Sequence, residues 1–172
     1  MITKKILLTG KPGVGKTSIS RRFVHGKFSD DYSQSVGSRI DSTELTINNN
    51  LLGLRIWDAD QGNADLKNLN QQYLNSAAII YVVDATNPES YSDLEGQLAA
   101  FRKLLPYVPV AVALNKSDLA SPNDSTVYPA AFGEMIFHTS AKSGEQLDLL
   151  FYKLGEELIR RHRQKTTFLN LF

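Results

Sequence analysis

The sequence of 172 residues contains no cysteine. This absence excludes disulfides, thiolate metal ligands and cysteine nucleophiles, and it fits a reducing compartment, so we expect a cytoplasmic protein. Prenyl and palmitoyl groups are both attached to cysteine. We therefore expect no lipid anchor of the chain's own.

An excess of charge of one sign is also lacking, since 19 lysines and arginines stand against 18 aspartates and glutamates. This balance indicates no nucleic-acid partner. Long apolar runs are missing too. The run after Lys4 and Lys5 covers only Ile6 to Leu8, which is too short for a signal peptide or a membrane span. With 42% hydrophobic residues the chain can still bury the core of a single domain, which we expect to span residues 1–172.

What the sequence does contain is an alternation of strand and helix patterns. Helices are indicated at Thr17–Val24, at 94–105 and from just after Gly144. Strands are indicated by apolar runs, or by alternation around a turn of asparagines at 48–50, and they lie at Ile6–Leu8, 45–47, 52–56, Ala77–Val83, Val108–Leu114 and Met135–Thr139. We predict an α/β fold with a mostly parallel six-stranded sheet, one antiparallel hairpin edge and helices on both faces. Ligands of such sheets bind beyond the carboxyl ends of the strands.

The first motif at such a strand end is a complete phosphate-binding loop, Gly10-Lys11-Pro12-Gly13-Val14-Gly15-Lys16-Thr17. Glycines let backbone N–H groups turn towards a polyphosphate, and the following helix adds its positive N-terminal end. The lysine supplies charge to the β- and γ-phosphates, and the threonine hydroxyl reaches Mg²⁺. A glycine-rich turn that binds nothing is the alternative, but the motif lies between a strand and a helix as phosphate binding requires. The candidate ligand-binding residues are Gly13, Val14, Gly15, Lys16, Thr17 and Ser18.

Two further motifs follow later strands. In Asn115-Lys116-Ser117-Asp118, the Asp118 carboxylate can accept hydrogen bonds from ring and exocyclic N–H groups of guanine, a pairing that adenine does not offer. Asn115 and Lys116 can brace that loop and cover the base. In Thr139-Ser140-Ala141-Lys142, backbone N–H groups can meet the guanine carbonyl oxygen. Each tetrapeptide alone would be an ordinary polar turn; together with the phosphate loop they predict guanine-nucleotide binding.

These motifs make the chain resemble a Ras-superfamily small GTPase along nearly its whole length, and most of all the Rab branch. The resemblance implies a P-loop NTPase of the Ras-like G-domain type, which binds GTP or GDP with Mg²⁺ as cofactor. It also implies a monomeric switch that recruits effector proteins in the GTP state and meets exchange factors and activating proteins. Segments with Rab character are Arg22-Phe23-Val24, Gly26-Lys27-Phe28, Leu54-Arg55-Ile56-Trp57-Asp58 and Asp84-Ala85-Thr86-Asn87-Pro88-Glu89-Ser90.

The resemblance also assigns roles to three single residues. Phe28 matches the aromatic residue that stacks on guanine, and Ser35 falls where the family binds Mg²⁺ through a threonine hydroxyl and senses the γ-phosphate through its N–H. Asp58 matches the aspartate that holds Mg²⁺ through water. The alternatives are a core phenylalanine, a loop hydroxyl and a strand-end cap. The effector-binding segments of the family correspond here to Phe28–Gly37 and Ala59–Tyr73.

The departures from the family concern catalysis. Its switch-two motif reads W-D-T-A-G-Q-E, whereas this chain has Trp57-Asp58-Ala59-Asp60-Gln61-Gly62-Asn63. With one inserted residue, Gly62 takes the place of the glycine that contacts the γ-phosphate, and Asn63 that of the water-orienting glutamine. Without the insertion, Gln61 falls on the glycine position and Gly62 on the glutamine. Either alignment disturbs the catalytic group, so Gln61 and Asn63 are both candidates and slow hydrolysis is expected.

Other departures leave the function open. Pro12 has no N–H to offer and occupies a crowded position of the phosphate loop. The helix that Rabs have between Leu119 and Met135 is expected to be short or replaced by a loop. The leading hypothesis is a nucleotide-dependent switch. The second is a pseudo-GTPase scaffold locked with one guanine nucleotide. A phosphotransferase is the third, disfavoured by the base motif at 115–118.

Overall fold

The computed structural model describes residues 2–29, 39–58, 73, 75–120 and 135–169. Its strands are β1 (Ile2–Thr9), β2 (Arg39–Ile47), β3 (Asn50–Asp58), β4 (Ala78–Asp84), β5 (Val110–Asn115) and β6 (Met135–His138). The helices are α1 (Lys16–His25), α2 (Leu94–Leu104) and α3 (Leu147–Leu169), and short 3₁₀ turns cover Pro88–Ser90 and Ser117–Leu119.

The six strands form one sheet in the order β2-β3-β1-β4-β5-β6. All neighbouring strands run parallel except β2 and β3, which pair antiparallel. Their turn is made by Asn48 and Asn49, whose φ angles of 47° and 62° are the left-handed values that asparagine tolerates. The predicted fold class is therefore confirmed, with its parallel sheet, hairpin edge and helices.

Helices cover both faces of this sheet, because alternate strand residues point to opposite sides. Ile6 and Leu8 of β1 lie in the core cluster that includes side chains of α1 and α3. Leu7, between them, lies in the second cluster, where it joins Leu98 and Phe101 of α2. Central strands buried on both faces explain why their sequences are apolar at every position rather than at every second one.

Several boundaries differ from the sequence prediction, most of all that of β2, which begins at Arg39 rather than at residue 45. β1 begins at Ile2 and not at Ile6, since its polar first half pairs with β3 and the Lys5 ammonium lies 4.2 Å from the centre of the Trp57 ring. α3 begins at Leu147, three residues after Gly144, because Gln146 has a left-handed φ of 52°. None of the helices in the described ranges is long and apolar enough to cross a membrane. The expectation for the region between Leu119 and Met135 falls almost entirely outside those ranges.

Candidate functional site

The carboxyl ends of the parallel strands bring the three sequence motifs to one edge of the sheet. The phosphate loop follows β1, and Asp58 ends β3 in register with Leu8 of β1. Asp84 ends β4 opposite Asn115, which ends β5. The Thr139–Lys142 motif follows β6. Residues that are far apart in the sequence thus become neighbours, as the topology predicts.

The phosphate loop depends on glycine at two points of close approach. At Gly10, which has a φ of 137°, a Cβ atom would lie 2.1 Å from the carbonyl oxygen of Val82 in β4. At Gly15, which has a φ of 99°, a Cβ atom would lie 2.2 Å from the Nδ2 atom of Asn115. Any larger residue would push the loop away from the sheet edge and from the base motif. Val14 anchors the loop between them with a buried side chain.

Lys16 is the first residue of α1, and its side chain is 9% exposed. Its Nζ atom donates hydrogen bonds to the carbonyl oxygens of Gly10 and Lys11, both at 3.0 Å. The ammonium group is therefore held within the curve of the loop, where a phosphate oxygen could replace or join the carbonyl acceptors. Among the other loop residues, Gly13 is exposed, and Thr17 and Ser18 are partly buried in the first turn of the helix.

The two described candidates for holding Mg²⁺ lie in direct contact. The Thr17 hydroxyl donates a hydrogen bond to the Asp58 carboxylate, although 41 residues separate them in the chain. Asp58 is 3% exposed. A hydroxyl and a buried carboxylate are oxygen donors of the kind that Mg²⁺ takes, and phosphate oxygens could complete the donor set. These residues fit the ion: Thr17 directly follows Lys16 at the start of α1, and Asp58 ends β3.

Asn115 joins the phosphate loop to the two base motifs. Its Nδ2 atom donates to the Val14 carbonyl at 2.9 Å, and its Oδ1 atom accepts from the Ala141 N–H at 3.1 Å. The side chain is buried, so these bonds form away from competing water. One amide thereby fixes the relative positions of the loop for phosphate and the loop for a base.

Lys116 has a left-handed φ of 65°, and its Nζ atom lies 2.5 Å from the Asp84 carboxylate. Asp84 also accepts from the N–H and the hydroxyl of Thr86, at 2.9 Å and 2.7 Å. Burial alone would raise the pKa of Asp84, but the hydrogen bonds from Lys116 and Thr86 outweigh it and hold the pKa below its ordinary value. Asp84 is thus a partner of the base motif that the sequence analysis quoted only as part of a Rab-like segment.

Asp118 lies exposed in the 3₁₀ turn Ser117–Leu119, where its carboxylate is accessible to a ligand. The turn is fixed to the third motif, since the Ser117 N–H donates to the Thr139 carbonyl at 3.0 Å and its hydroxyl to Glu145 at 3.1 Å. These hydrogen bonds therefore connect the two base motifs to each other.

The third motif is braced internally. Ser140 is buried; its N–H donates to the Glu145 carbonyl at 3.2 Å, and its hydroxyl accepts from the Ser143 N–H at 3.0 Å. The Ala141 N–H, already bonded to Asn115, would have to share its hydrogen with a guanine carbonyl, and the Lys142 side chain is exposed beside it.

The comparison with protein families agrees with this geometry. The model of the Ras family matches residues 5–160. The chain belongs to the Ras family. The match begins inside β1 and ends inside α3, so it includes every motif of the site.

Individual members of the family show the Rab character of the chain. Ras-related protein Rab-30 of Homo sapiens is 32% identical over 174 positions, which cover 97% of this chain and 85% of that protein. Ras-related protein Rab-4B of Homo sapiens is 28% identical over 91% of this chain and 76% of its own length. Ras-related protein RHN1 of Nicotiana plumbaginifolia is 28% identical over 92% and 82%. The chain is therefore a small GTPase of the Ras superfamily and is most like the Rabs.

The family's remaining site positions are only partly visible in this member. Phe28 is partly buried and packs against the core cluster of α1 and α3, so one side of its ring faces the protein interior. Ser35, Gln61, Gly62 and Asn63 lie outside the described residues, as does most of the two proposed effector-binding segments. From the second of these segments the structure describes Tyr73, whose hydroxyl is 2.9 Å from that of Thr9.

Proposed function

We propose that this chain is a single G domain, residues 1–172, that works as a nucleotide-dependent switch. It binds GTP or GDP with Mg²⁺, recruits effector proteins in the GTP state and hydrolyses GTP slowly. The observation that supports this proposal most strongly is the amide of Asn115, which holds the phosphate loop and the base motif together at the sheet edge. A site for phosphate alone would not need that link.

Each end of the nucleotide has its own set of residues in this proposal. Lys16 and the backbone N–H groups of the loop would bind the phosphates, with the positive end of α1 behind them. Thr17 and Asp58, with Ser35, would hold Mg²⁺, which supplies positive charge to the phosphates when bound. Asp118 would recognise guanine, while Lys116 and Phe28 would cover its two sides and the Ser140–Lys142 backbone would meet its carbonyl oxygen.

The partners follow from the family relationship. Rab and Ras proteins meet effectors, exchange factors and activating proteins, and we propose that this chain meets such partners through Phe28–Gly37 and Ala59–Tyr73. The same relationship supports a monomeric protein. We further propose that it works in the cytoplasm.

Hydrolysis is expected to be slow, at or below about 10⁻⁴ per second for the protein alone. In this family the rate comes from orienting the attacking water and stabilising charge on the γ-phosphoryl group. Either alignment of Gln61–Asn63 displaces the group that would orient the water, and Pro12 would crowd an arginine supplied by an activating protein. Single-turnover hydrolysis of GTP, followed by chromatography of the nucleotides, measures this rate.

Two substitutions separate the possible alignments. If Gln61→Ala lowers the rate and Asn63→Ala does not, the glutamine reaches the water, and the alignment with an insertion, which gives that role to Asn63, is wrong. The reverse result supports the insertion and a role for Asn63. A fast rate in the parent that neither substitution changes would contradict the proposal of a slow enzyme. A complete absence of turnover with tightly bound GTP would instead identify a pseudo-GTPase.

A further inference from the structure

Arg22, in the last turn of α1, connects two segments that are remote in sequence. Its Nη2 atom donates to the carbonyl oxygen of Ser143 at 2.9 Å, across a separation of 121 residues. Its Nη1 atom donates to the carbonyl oxygen of Gly26 at 3.4 Å. The side chain is partly buried. A planar guanidinium can donate to two acceptors at once from a fixed geometry, which lysine cannot reproduce.

The loop opposite Arg22 is shaped to receive it. Gly144 has a φ of 91°, and a Cβ atom there would lie 3.2 Å from Nε and 3.3 Å from Nη2 of Arg22. Because the position has no side chain, the guanidinium can lie directly against the backbone. The Gly144 N–H donates to the Ser140 carbonyl at 2.8 Å, so the segment that Arg22 contacts is tied to the third motif.

The two acceptors belong to opposite sides of the proposed base pocket. Gly26 ends α1, its N–H donates to the carbonyl of Arg22 itself at 3.0 Å, and it lies two residues before Phe28. Ser143 directly follows the Ser140–Lys142 segment. For guanine to leave, the side carrying Phe28 and the side carrying Ser140–Lys142 have to separate. Arg22 donates a hydrogen bond to each side and so holds the two sides together.

We propose that Arg22 is a positioning residue that controls the rate of nucleotide release by holding these two sides of the base pocket together. The inference rests on the proposed function, since it presupposes that guanine occupies this pocket. The guanidinium contacts described above are with Gly26 and Ser143, and neither residue belongs to the phosphate loop or to the Mg²⁺ candidates Thr17 and Asp58. The effect of Arg22 is therefore on the base end of the nucleotide and is independent of Mg²⁺.

The test measures release of a fluorescent mant-GDP from the whole 172-residue chain after addition of excess unlabelled GDP. Arg22→Ala is expected to release mant-GDP about three- to tenfold faster, the range for losing a charged hydrogen bond that is partly exposed. Arg22→Lys keeps the charge but loses the planar guanidinium, so its rate of mant-GDP release should lie between those of Arg22→Ala and the parent. Arg21→Ala is the matched control. It removes the same charge from the preceding residue of the helix, which projects about 100° away, and this variant should release mant-GDP at the parent rate.

A second readout separates positioning from general loosening of the fold. Removing Mg²⁺ with EDTA should accelerate release by the same factor in Arg22→Ala and in the parent, and without nucleotide the variant should melt no more than about 2–4 °C below the parent, the shift expected for losing one such hydrogen bond. If Arg22→Ala and the parent release mant-GDP at equal rates, the inference is wrong while the proposed function stands. An acceleration that disappears in EDTA would also overturn it, because the effect would then act through the phosphate end. If the parent takes up no mant-GDP, the proposed function itself fails.

Discussion

Replacing Lys16 by alanine is expected to weaken GTP binding by about ten- to a hundredfold or more. A hydrogen bond that involves a charged group contributes roughly 1.5–3 kcal/mol, and this one would form in a largely buried place. The Lys16 ammonium is already held in the curve of the loop by the Gly10 and Lys11 carbonyls, so little ordering remains to be done when phosphate arrives. Equilibrium titration of the nucleotide-free protein with GTP in the presence of Mg²⁺ measures the change.

Lys11→Ala is a sharp control for this experiment. Its exposed side chain belongs to the same loop, but its ammonium donates to the Glu89 carbonyl, away from Lys16. Its loss should change the affinity by no more than about fivefold, as is usual for an exposed charge. Equal affinities of the parent and Lys16→Ala for GTP would show that the phosphates bind elsewhere.

Asp118→Asn is expected to change the choice of base. The carboxylate would accept two hydrogen bonds from guanine, whereas an asparagine amide would accept one and present a donor in place of the other. Binding of GTP should weaken by about ten- to a hundredfold, and xanthosine triphosphate, whose additional carbonyl suits an amide donor, should bind better than GTP. The measurement is the ratio of the two affinities in the variant and in the parent.

Asp148→Asn is the matched control, since it neutralises another exposed aspartate, in the first turn of α3. Its preference for GTP should match that of the parent. If Asp118→Asn also keeps the parent preference, the base does not pair with residue 118 and the second motif has another role.

Most of the fold could be predicted from the sequence, because the central strands carry an unambiguous signal. Ala78–Asp84 and Val110–Asn115 are buried at every position, and a short continuous apolar run is typical of such strands. The start of β1 could not be predicted. There Lys5 packs along the ring of Trp57, and the pattern of polar and apolar residues gives no indication of that contact.

Some residues of the candidate site could likewise be predicted from the sequence and others could not. The motif residues were found because phosphate and base recognition demand fixed residue types at short spacings. Asp84 and Arg22 were not assigned roles, since their contacts with Lys116 and Ser143 cross 32 and 121 residues. One local signal did exist for Asp84, an aspartate at the carboxyl end of a buried strand. For Arg22 there was none, since an arginine in the last turn of a helix is common for electrostatic reasons alone.

The central claim is that this pocket binds guanine nucleotides, and competition between nucleotides tests it most directly. Nucleotide-free protein is loaded with mant-GDP in the presence of Mg²⁺, and unlabelled GDP or ADP is added in increasing amounts. We predict that GDP displaces the label at stoichiometric concentrations. ADP should need a concentration higher by a factor on the order of 10³ or more, because adenine leaves the Asp118 carboxylate unpaired. Displacement by ADP and GDP at equal concentrations would contradict the account.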